Sequence, residues 1–544
     1  MLKNIRRFFS MDCDVPRIRQ PRPDASEDVY SDLYSTFSQV TSTTANDIEQ
    51  LPYPLTFRNA VIFAGATVGG LLFGYDTGII SGVLLMLNPA DLSLSVVTDF
   101  DKELITSVTC LGSFFGSLLA FSIADRYGRR LTLALCSAVF IVAALWMALA
   151  TTLSLLVTGR LLVGVAVGVA AQCIPVYLSE ISPASTRGTV LALNCLAITG
   201  GQLISYVVSM LVQETKHAWR YLFGLAALPA IFFLLLLDFI PESPRWLISH
   251  GDYAGALDSL KVIYPLAPMQ LVSLKLKWLI LDINKLRKYQ DEEDLPLARS
   301  QSISRYLGFT QPEEVHAGSE EVSTETKPRH RMEARAKRAL FVGCTLMFFQ
   351  QASGINAFMY YAPVIFAQIE VQNPLASAMI IAATNFLFTL VALRFVDRVG
   401  RRYMLLSTIW IMTVGLLLSS VGFDEDNTKL ILVALLIFVG GYASAMGTIP
   451  WSSVEFLPLN GRSFGGACIS CTNWLTNTLV SVSYLSIGKK VGMANTMLIF
   501  ALFTALNWIF VYYYYPEVKG LTLEEVGKVF ENGIDVSYVY RNYH

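Results

Sequence analysis

The feature that most constrains this chain is a series of apolar stretches about as long as a lipid bilayer is thick. Three examples, Leu131–Thr152, Tyr221–Ile240 and Ile431–Pro450, hold almost no charged residue. A helix of about 20 residues rises about 30 Å, which is the thickness of the hydrocarbon core. Only 15% of all residues are charged and 53% are hydrophobic, whereas an average soluble domain is about 25% charged. The sequence therefore predicts an all-α membrane protein.

Hydropathy and loop signals predict twelve membrane spans, numbered here in chain order. Spans 1 to 6 are placed at 59–85, 103–123, 131–151, 155–178, 190–213 and 219–240, and spans 7 to 12 at 339–367, 376–396, 403–423, 428–452, 462–487 and 491–515. The predicted domains are an N-terminal tail (1–58), a first six-helix half (59–240), a central loop (241–338), a second half (339–515) and a C-terminal tail (516–544). Within the central loop, 253–286 has a helical pattern that is interrupted near Pro265 and Pro268.

Charged loop residues predict how the spans are oriented. Basic residues follow spans 2, 4 and 8, on the same side as the basic central loop, whereas acidic residues follow spans 1 and 9. The basic side is predicted to be cytoplasmic, because lysine and arginine are enriched in cytoplasmic loops. With an even number of spans, both termini are then cytoplasmic, and no cleavable signal peptide is predicted before Ala60.

Three motifs occur once in each half of the chain. The loop Asp-Arg-Tyr-Gly-Arg-Arg at 125–130 recurs as Asp-Arg-Val-Gly-Arg-Arg at 397–402, 272 residues later (397 minus 125). Glu180 recurs as Glu455, and Pro241-Glu242 recurs as Pro516-Glu517, both 275 residues later (455 minus 180, 516 minus 241). Two parallel repeats of six spans, with a substrate site between them, are typical of the major facilitator fold.

The repeated charges at the basic side are candidates for a gate as well as for setting topology. Acidic and basic residues recur together, so ion pairs among them could hold the halves closed on that side in an outward-facing state. The candidates are Asp125, Arg129, Arg130, Glu180, Arg187 and Glu242 in the first half, and Asp397, Arg401, Arg402, Glu455, Arg462 and Glu517 in the second. The alternative is that the basic residues only fix the orientation.

The membrane portion resembles the sugar porters of the major facilitator superfamily. The motifs that carry this resemblance are Gly74-Tyr75-Asp76-Thr77-Gly78, the two Asp-Arg-X-Gly-Arg-Arg loops, the segments 241–247 and 350–356, Pro450-Trp451, and the segment 516–520. Within that family, segments 198–203, 447–451 and 472–474 are most similar to fungal and plant proton/myo-inositol symporters. The resemblance implies a plasma-membrane symporter that carries a small polyol or sugar with a proton and needs no cofactor.

Asp76 is predicted to lie inside span 1, where an ionisable side chain is costly and marks an ion or substrate path. Arg160, flanked by apolar residues in span 4, is its expected partner. The hypothesis is that Asp76 alternates between an ionised form paired with Arg160 and a protonated form released from it. The alternative is a static salt bridge between spans 1 and 4.

Amide and aromatic side chains in the second half suit a ligand with several hydroxyls and an apolar ring face. Gln350, Gln351 and Asn356 match the family's sugar-binding motif in span 7, where Gly354 would allow the helix to break. Asn385, Trp451, Asn473 and Trp474 are further candidates, and Tyr360 and Tyr361 could line the pocket or serve packing or gating. For an isolated asparagine, the alternative is an interhelical hydrogen bond.

Two positions depart from the sugar-porter pattern. In span 5 this chain has Cys195 where glucose and xylose carriers usually have a glutamine, which weakens the hexose interpretation. In span 6 it has Ala226 where the bacterial proton-coupled xylose carrier has a glutamate, so a proton relay would have to work without that group.

The sequence leaves two alternative functions open and argues against two others. A facilitative hexose carrier without proton coupling is the nearest alternative, and a transporter-like nutrient sensor is a second. The net charge of −1 and the scattered basic residues argue against nucleic-acid binding. Neither a nucleophile and base pair nor a metal-ligand cluster is evident in the sequence, which argues against an enzyme.

Overall fold

The computed structural model describes residues 57–183, 187–265, 267–269, 271–280, 283, 334–457, 462–519, 521, 523–531 and 533–542. Within these residues, ten helices are long and apolar enough to cross a membrane. The regular ones are span 1 (Phe57–Met86), span 2 (Asp99–Tyr127), span 3 (Arg129–Ala148), span 4 (Leu153–Ile181), span 5 (Arg187–Val212), span 8 (Pro374–Val399), span 9 (Arg401–Asp424) and span 12 (Met493–Tyr514). The predicted N-terminal tail lies almost entirely outside the described residues.

Two predicted spans are helical but fall outside those ten, for different reasons. Span 7 consists of two helices, Ala334–Ala352 and Ile355–Gln368, which are separated at Gly354. Gly354 has φ of +82°, a left-handed conformation that glycine adopts without steric cost. Span 11 is one helix of 30 residues, Arg462–Val491, but its many serine, threonine and asparagine residues make it polar. The predicted break in span 7 is thus present.

Spans 6 and 10 are less regular than their sequences predict. Span 6 divides at Ala226 into Ala218–Leu225 and Ala227–Leu236. Span 10 begins as an α-helix, Thr428–Gly441, passes through a π-helical turn at Tyr442–Met446 and ends as a 3-10 helix at Ile449–Phe456. Such π-turns are rare in proteins overall, and those that occur are often found at functional sites. Hydropathy alone predicted one continuous helix in each place.

Span 2 begins four residues earlier than predicted because its first turn is capped. Thr98 accepts a hydrogen bond from the Asp101 N–H (3.2 Å), and the Asp101 carboxylate accepts one from the Thr98 N–H (2.8 Å). This reciprocal arrangement satisfies two backbone donors that a helix start leaves unpaired. The helix therefore extends past the hydrophobic segment into the acidic loop.

Glycines allow two pairs of spans in the first half to approach closely. A Cβ at Gly164 of span 4 would lie 2.2 Å from the backbone oxygen of Thr109 in span 2, and one at Gly74 of span 1 would lie 1.9 Å from that of Ile198 in span 5. Small residues at helix interfaces are typical of membrane bundles. These contacts fix spans 1 and 4, and with them Asp76 and Arg160, against their neighbours.

The outer surface of the bundle is rich in large apolar side chains, as a lipid-facing surface requires. Leu211, Phe239, Leu479 and Leu502 are between 58% and 77% exposed. An apolar surface of this extent would be abnormal on a water-soluble protein. The predicted fold, an all-α bundle of twelve membrane helices in two six-helix halves, agrees with this arrangement.

Short helices follow each half. Pro244–Ser249 and Tyr253–Ile263 come after span 6, and Leu523–Lys528 and Tyr538–Asn542 come after span 12. The helix predicted from residue 253 ends at Ile263, just before Pro265, and residues 271–280 are helical again. The interruption expected from Pro265 and Pro268 is therefore present. The remainder of the central loop, from 284 to 333, lies outside the described residues.

Candidate functional site

Asp76 and Arg160 form an ion pair in the interior of the first half. Arg160 Nη1 lies 2.8 Å from Asp76 Oδ1, and both residues are at most 3% exposed. Arg160 Nε also donates to the backbone oxygen of Ile105 in span 2 (3.3 Å), and its guanidinium stands 5.8 Å from the centre of the Phe223 ring. A buried ion pair survives desolvation only with good geometry and further hydrogen bonds. The structure thus brings these two predicted residues together.

The break in span 7 carries a network of amides. Gln351 Nε2 donates to Asn473 Oδ1 of span 11 (2.5 Å), and Asn356 Nδ2 donates to Gln351 Oε1 (2.6 Å). Gln350 Nε2 donates to the backbone oxygen of Met446 (2.6 Å), which lies in the π-helical turn of span 10. The irregular parts of spans 7 and 10 therefore meet through a side chain predicted to bind substrate. Only Asn356 of the span 7 amides is partly exposed.

Two further predicted residues contact the opposite half. Asn385 Nδ2 of span 8 donates to Gln202 Oε1 of span 5 (3.1 Å). The Trp474 ring of span 11 forms a T-shaped pair with the Phe73 ring of span 1, with 5.5 Å between ring centres. Trp451, on the 3-10 segment of span 10, is partly exposed. Asn385 and Trp474 thus lie where the two halves meet.

Tyr360 and Tyr361 are both buried, and each has a polar partner in span 11. Asn477 Nδ2 donates to the Tyr360 hydroxyl (3.2 Å), and the Tyr361 hydroxyl donates to the backbone oxygen of Ser481 (2.8 Å). Tyr361 also stacks on Tyr484, with an interplanar angle of 2°. The two rings hold the second helix of span 7 against span 11.

The charged loop of the first half forms a compact cluster. Arg129 lies 3.1 Å from a carboxylate oxygen of Glu180 and 3.1 Å from one of Asp125. Glu242 accepts hydrogen bonds from the backbone N–H groups of Arg129 and Arg130, both at 3.0 Å. Burial raises the pKa of the Glu242 carboxyl above its ordinary value, while the N–H groups of Ser243, Arg130 and Arg129 act in the opposite direction. Glu242 thus binds the backbone at the start of span 3, not the arginine side chains.

The second half repeats this geometry. Glu517 accepts hydrogen bonds from the N–H groups of Arg401 (3.2 Å) and Arg402 (3.0 Å), and Arg401 lies 3.4 Å from Glu455. The side chains of Arg187, Asp397 and Arg462 lie outside the described part of the structure. Among the described members of this predicted network, each ion pair stays within its own half. A tie between the halves is not formed by them in this conformation.

Some contacts between the halves involve residues that the sequence did not single out as site residues. Glu103 of span 2 accepts hydrogen bonds from the N–H (2.7 Å) and the hydroxyl (2.6 Å) of Ser486 in span 11. Tyr206 of span 5 donates to the backbone oxygen of Met359 in span 7 (2.6 Å). In the sequence, Glu103 belongs to the acidic stretch after span 1, and Gln202 belongs to the segment 198–203. Glu103 and Ser486 are 383 residues apart in the chain, so the sequence alone does not indicate that they are in contact.

No metal or redox centre is evident among the described residues. No group of three histidine, cysteine, aspartate or glutamate side chains is arranged to hold a metal ion in this part of the chain. The seven described cysteines are free thiols, and Cys110, Cys136 and Cys173 are buried. The polar contacts described above are hydrogen bonds and one buried ion pair.

Known proteins with similar sequences are transporters. The family model described as "Sugar (and other) transporter" matches residues 62–530. A probable metabolite transport protein of Saccharomyces cerevisiae is 58% identical, over 96% of this chain and 100% of the relative. Myo-inositol transporter 1 of Cryptococcus neoformans is 34% identical, over 88% of this chain and 82% of the relative.

Solved structures of a sugar symporter have the same fold as this chain. The proton:xylose symporter XylE, of the major facilitator superfamily, matches with a TM-score of 0.69 and 25% identity, over 87% of this chain and 99% of that one. An inward-open structure of XylE from E. coli matches with a TM-score of 0.68, over 87% of this chain and 100% of that one. The predicted major facilitator fold is thereby confirmed.

Proposed function

This chain belongs to the sugar (and other) transporter family, and on that premise we propose that it is a plasma-membrane symporter of myo-inositol and protons. As a sugar porter it is a membrane transporter and not an enzyme. The proposal adds the identity of the substrate, the proton coupling and the membrane. Its first support is the buried ion pair of Asp76 and Arg160.

In the proposed coupling step, Asp76 takes up a proton when the site faces outward and releases it when the site faces inward. While the carboxylate is ionised, Arg160 balances its charge at 2.8 Å in a region without bulk water. Protonation removes that attraction, so spans 1 and 4 can separate at little electrostatic cost. A shift between these two arrangements would link proton movement to the change in access.

The proposed substrate site is the space bordered by Gln350, Gln351, Asn356, Asn385, Trp451, Asn473 and Trp474. In this conformation the amides bind one another and the backbone. A cyclic polyol presents several hydroxyls that both donate and accept, so it can replace these amide contacts one for one. The similarity to fungal myo-inositol transporters supports a polyol, and so does Cys195 at the position where hexose carriers usually have a glutamine.

In the proposed orientation, the end of the bundle that bears Arg129, Arg130, Arg401 and Arg402 is cytoplasmic. The end that bears Asp99 and Glu103 is then outside. The arginine clusters would set this topology, and they would also tie the halves together when the site opens outward. The support is the positive-inside rule and the repeated carboxylate at Glu242 and Glu517.

Uptake measurements test the substrate and the coupling together. Transport-deficient cells that express the protein are given radiolabelled myo-inositol, other polyols, glucose or xylose. Uptake is compared at an acidic and at a near-neutral external pH. We expect myo-inositol to accumulate above its external concentration, faster at the lower pH, with a proton influx. A carrier that equilibrates glucose without pH dependence would instead be a facilitative hexose transporter, and the proposal would be wrong.

A further inference from the structure

We propose that Glu103 and Ser486 form the latch that keeps the outer side of the transporter closed. This inference rests on the proposed orientation, in which the start of span 2 and the end of span 11 face outward. It concerns a pair that belongs neither to the proposed proton pathway nor to the proposed substrate site. The two residues lie in different halves of the molecule.

The first argument is the geometry of the contact. Both carboxylate oxygens of Glu103 are used, one by the Ser486 N–H at 2.7 Å and the other by the Ser486 hydroxyl at 2.6 Å. A charged acceptor forms stronger hydrogen bonds than a neutral one. Ser486 lies inside the helix Arg462–Val491, where a backbone N–H ordinarily serves its own helix. Span 11 thus offers two donors from one residue to a single carboxylate of the opposite half.

The second argument is burial. Glu103 has no exposed surface, and a buried carboxylate is costly unless it is hydrogen-bonded. Its donors here come from the other half, so its satisfaction depends on the halves being in contact on this side. When the halves separate there, Ser486 must withdraw and water must replace its two donors. The pair therefore stabilises one state of access specifically, and not the fold of either half.

The neighbouring contacts show why this pair carries the proposal. Lys489 and Asp99 also face each other across the halves, but at 3.6 Å and with Lys489 79% exposed. Exposed ion pairs of this kind contribute little. Tyr206 donates to the Met359 backbone oxygen, a neutral contact that one hydroxyl provides. Among the described contacts that join the halves on the outer side, that of Glu103 is the one with a fully buried charged group.

A native thiol beneath the latch reports on its opening. Cys110 is 3% exposed and lies seven residues, about two helical turns, further into the membrane than Glu103 on the same span. Its sulfur is 3.9 Å from the Tyr360 hydroxyl of the opposite half. In a variant that keeps Cys110 as its sole cysteine, a membrane-impermeant maleimide added outside intact cells reaches it only when the outer side opens.

The experiment compares maleimide labelling rates without any transported substrate. We expect Glu103→Gln and Ser486→Ala each to raise the rate, Glu103→Gln by about tenfold, as expected for losing a hydrogen bond to a charged group. The double variant should raise the rate by less than the product of the two single effects, because both substitutions act on the hydrogen bond between Glu103 and the Ser486 hydroxyl. Ser486→Ala is a small change that keeps the test usable if Glu103→Gln fails to fold.

Two matched controls separate the latch from general loosening. Glu425→Gln alters an exposed glutamate at the same end of the bundle, and Ser483→Ala removes a hydroxyl that bonds within span 11. Both should leave Cys110 labelling unchanged. The latch is refuted if the two latch variants label like their parent, if their effects simply add, or if the controls label equally fast. Since no substrate is used, a wrong assignment of cargo or coupling would appear in uptake alone and not in this result.

Discussion

Asp76 and Arg160 place opposite charges where neither is open to bulk water. We expect Asp76→Asn to lose uphill accumulation of substrate, because an amide cannot take up and release the proton. Exchange of labelled for unlabelled substrate should persist, since the substrate site is formed by other residues. The measurement is the steady-state ratio of internal to external myo-inositol, which should fall close to one. Full accumulation by Asp76→Asn would contradict proton coupling through this residue, and Asp258→Asn, a change at an exposed ion pair with Lys261, is the control.

Gln351 occupies the centre of the amide network. It bonds to Asn473 through its nitrogen and to Asn356 through its oxygen. Gln351→Ala should raise the KM for substrate by about tenfold or more, because a site built to bind a hydroxyl loses a partner. Asn495→Ala is the control. It removes an exposed amide that donates to the backbone oxygen of Val491, and it should leave the KM unchanged. A Gln351→Ala variant with lower surface expression but an unaltered KM would indicate a packing role.

Single residues also show what the sequence could and could not reveal. Asp76, Arg160 and the span 7 amides were predictable because polar groups stand out in apolar spans. Glu103 did not stand out, because its neighbours Asp99 and Asp101 made it look like part of a solvated loop. The helix that begins at the Thr98 cap, about one turn before Glu103, includes this residue in a buried part of span 2. Its partner could not be inferred without the packing of spans 2 and 11.

At the level of helices, the approach of span 4 to span 2 depends on the absence of a side chain at Gly164. Gly164→Ala would place a Cβ 2.2 Å from the Thr109 backbone oxygen, and neither backbone can shift freely. We expect a loss of stability of about 1–3 kcal/mol or more, measured as a lower thermal midpoint in detergent. At Gly224 of span 6, the nearest contact to an added Cβ is 3.8 Å. Gly224→Ala should therefore keep or slightly raise the midpoint, and equal losses at both sites would contradict the close-packing argument.

Helix interruptions divided into those that sequence could predict and those that it could not. Gly354 predicted the break in span 7, since it stands between polar residues that need to point inward. The π-turn at Tyr442–Met446 had no such marker. That turn forms where Met446 offers its carbonyl to Gln350, so it depends on the packing of spans 7 and 10. The division of span 6 at Ala226, in contrast, has a marker in Pro229, which lacks the N–H that would donate to the Leu225 oxygen.

For the whole molecule, the proposed orientation predicts where each end can be reached. A tag at the C-terminus should bind antibody only after the cells are permeabilised. A tag inserted at Val96, an exposed position between spans 1 and 2, should bind antibody on intact cells. Surface labelling by immunofluorescence tests both. The opposite pattern would overturn the topology derived from the arginine loops, while an unstained but expressed protein in either case would point to an internal membrane.

The division into two halves was the part of the architecture that sequence revealed best. Motifs repeated at 272 and 275 residues predicted matched loops, and Glu242 and Glu517 indeed bind equivalent backbone groups. The relation between the halves was not predictable from these repeats, because the repeated charges whose side chains the structure describes pair within each half. Gln202 and Asn385, which bridge the halves, correspond at the spacing of 275 to Asn477 and Cys110 (202 plus 275, 385 minus 275), and both of those contact the Tyr360 hydroxyl.

The polar contacts between the halves in the described part of the chain have a consequence for the balance of the two access states. A tenfold change in an equilibrium constant is equivalent to about 1.4 kcal/mol, and one hydrogen bond in a protein contributes about 1 kcal/mol. A single contact such as that of Tyr206 with Met359 is thus comparable to a severalfold shift in that balance. Replacing one bridging side chain would be enough to retune the resting balance of the two access states, so related carriers can adapt to rich or poor surroundings without rebuilding the binding site.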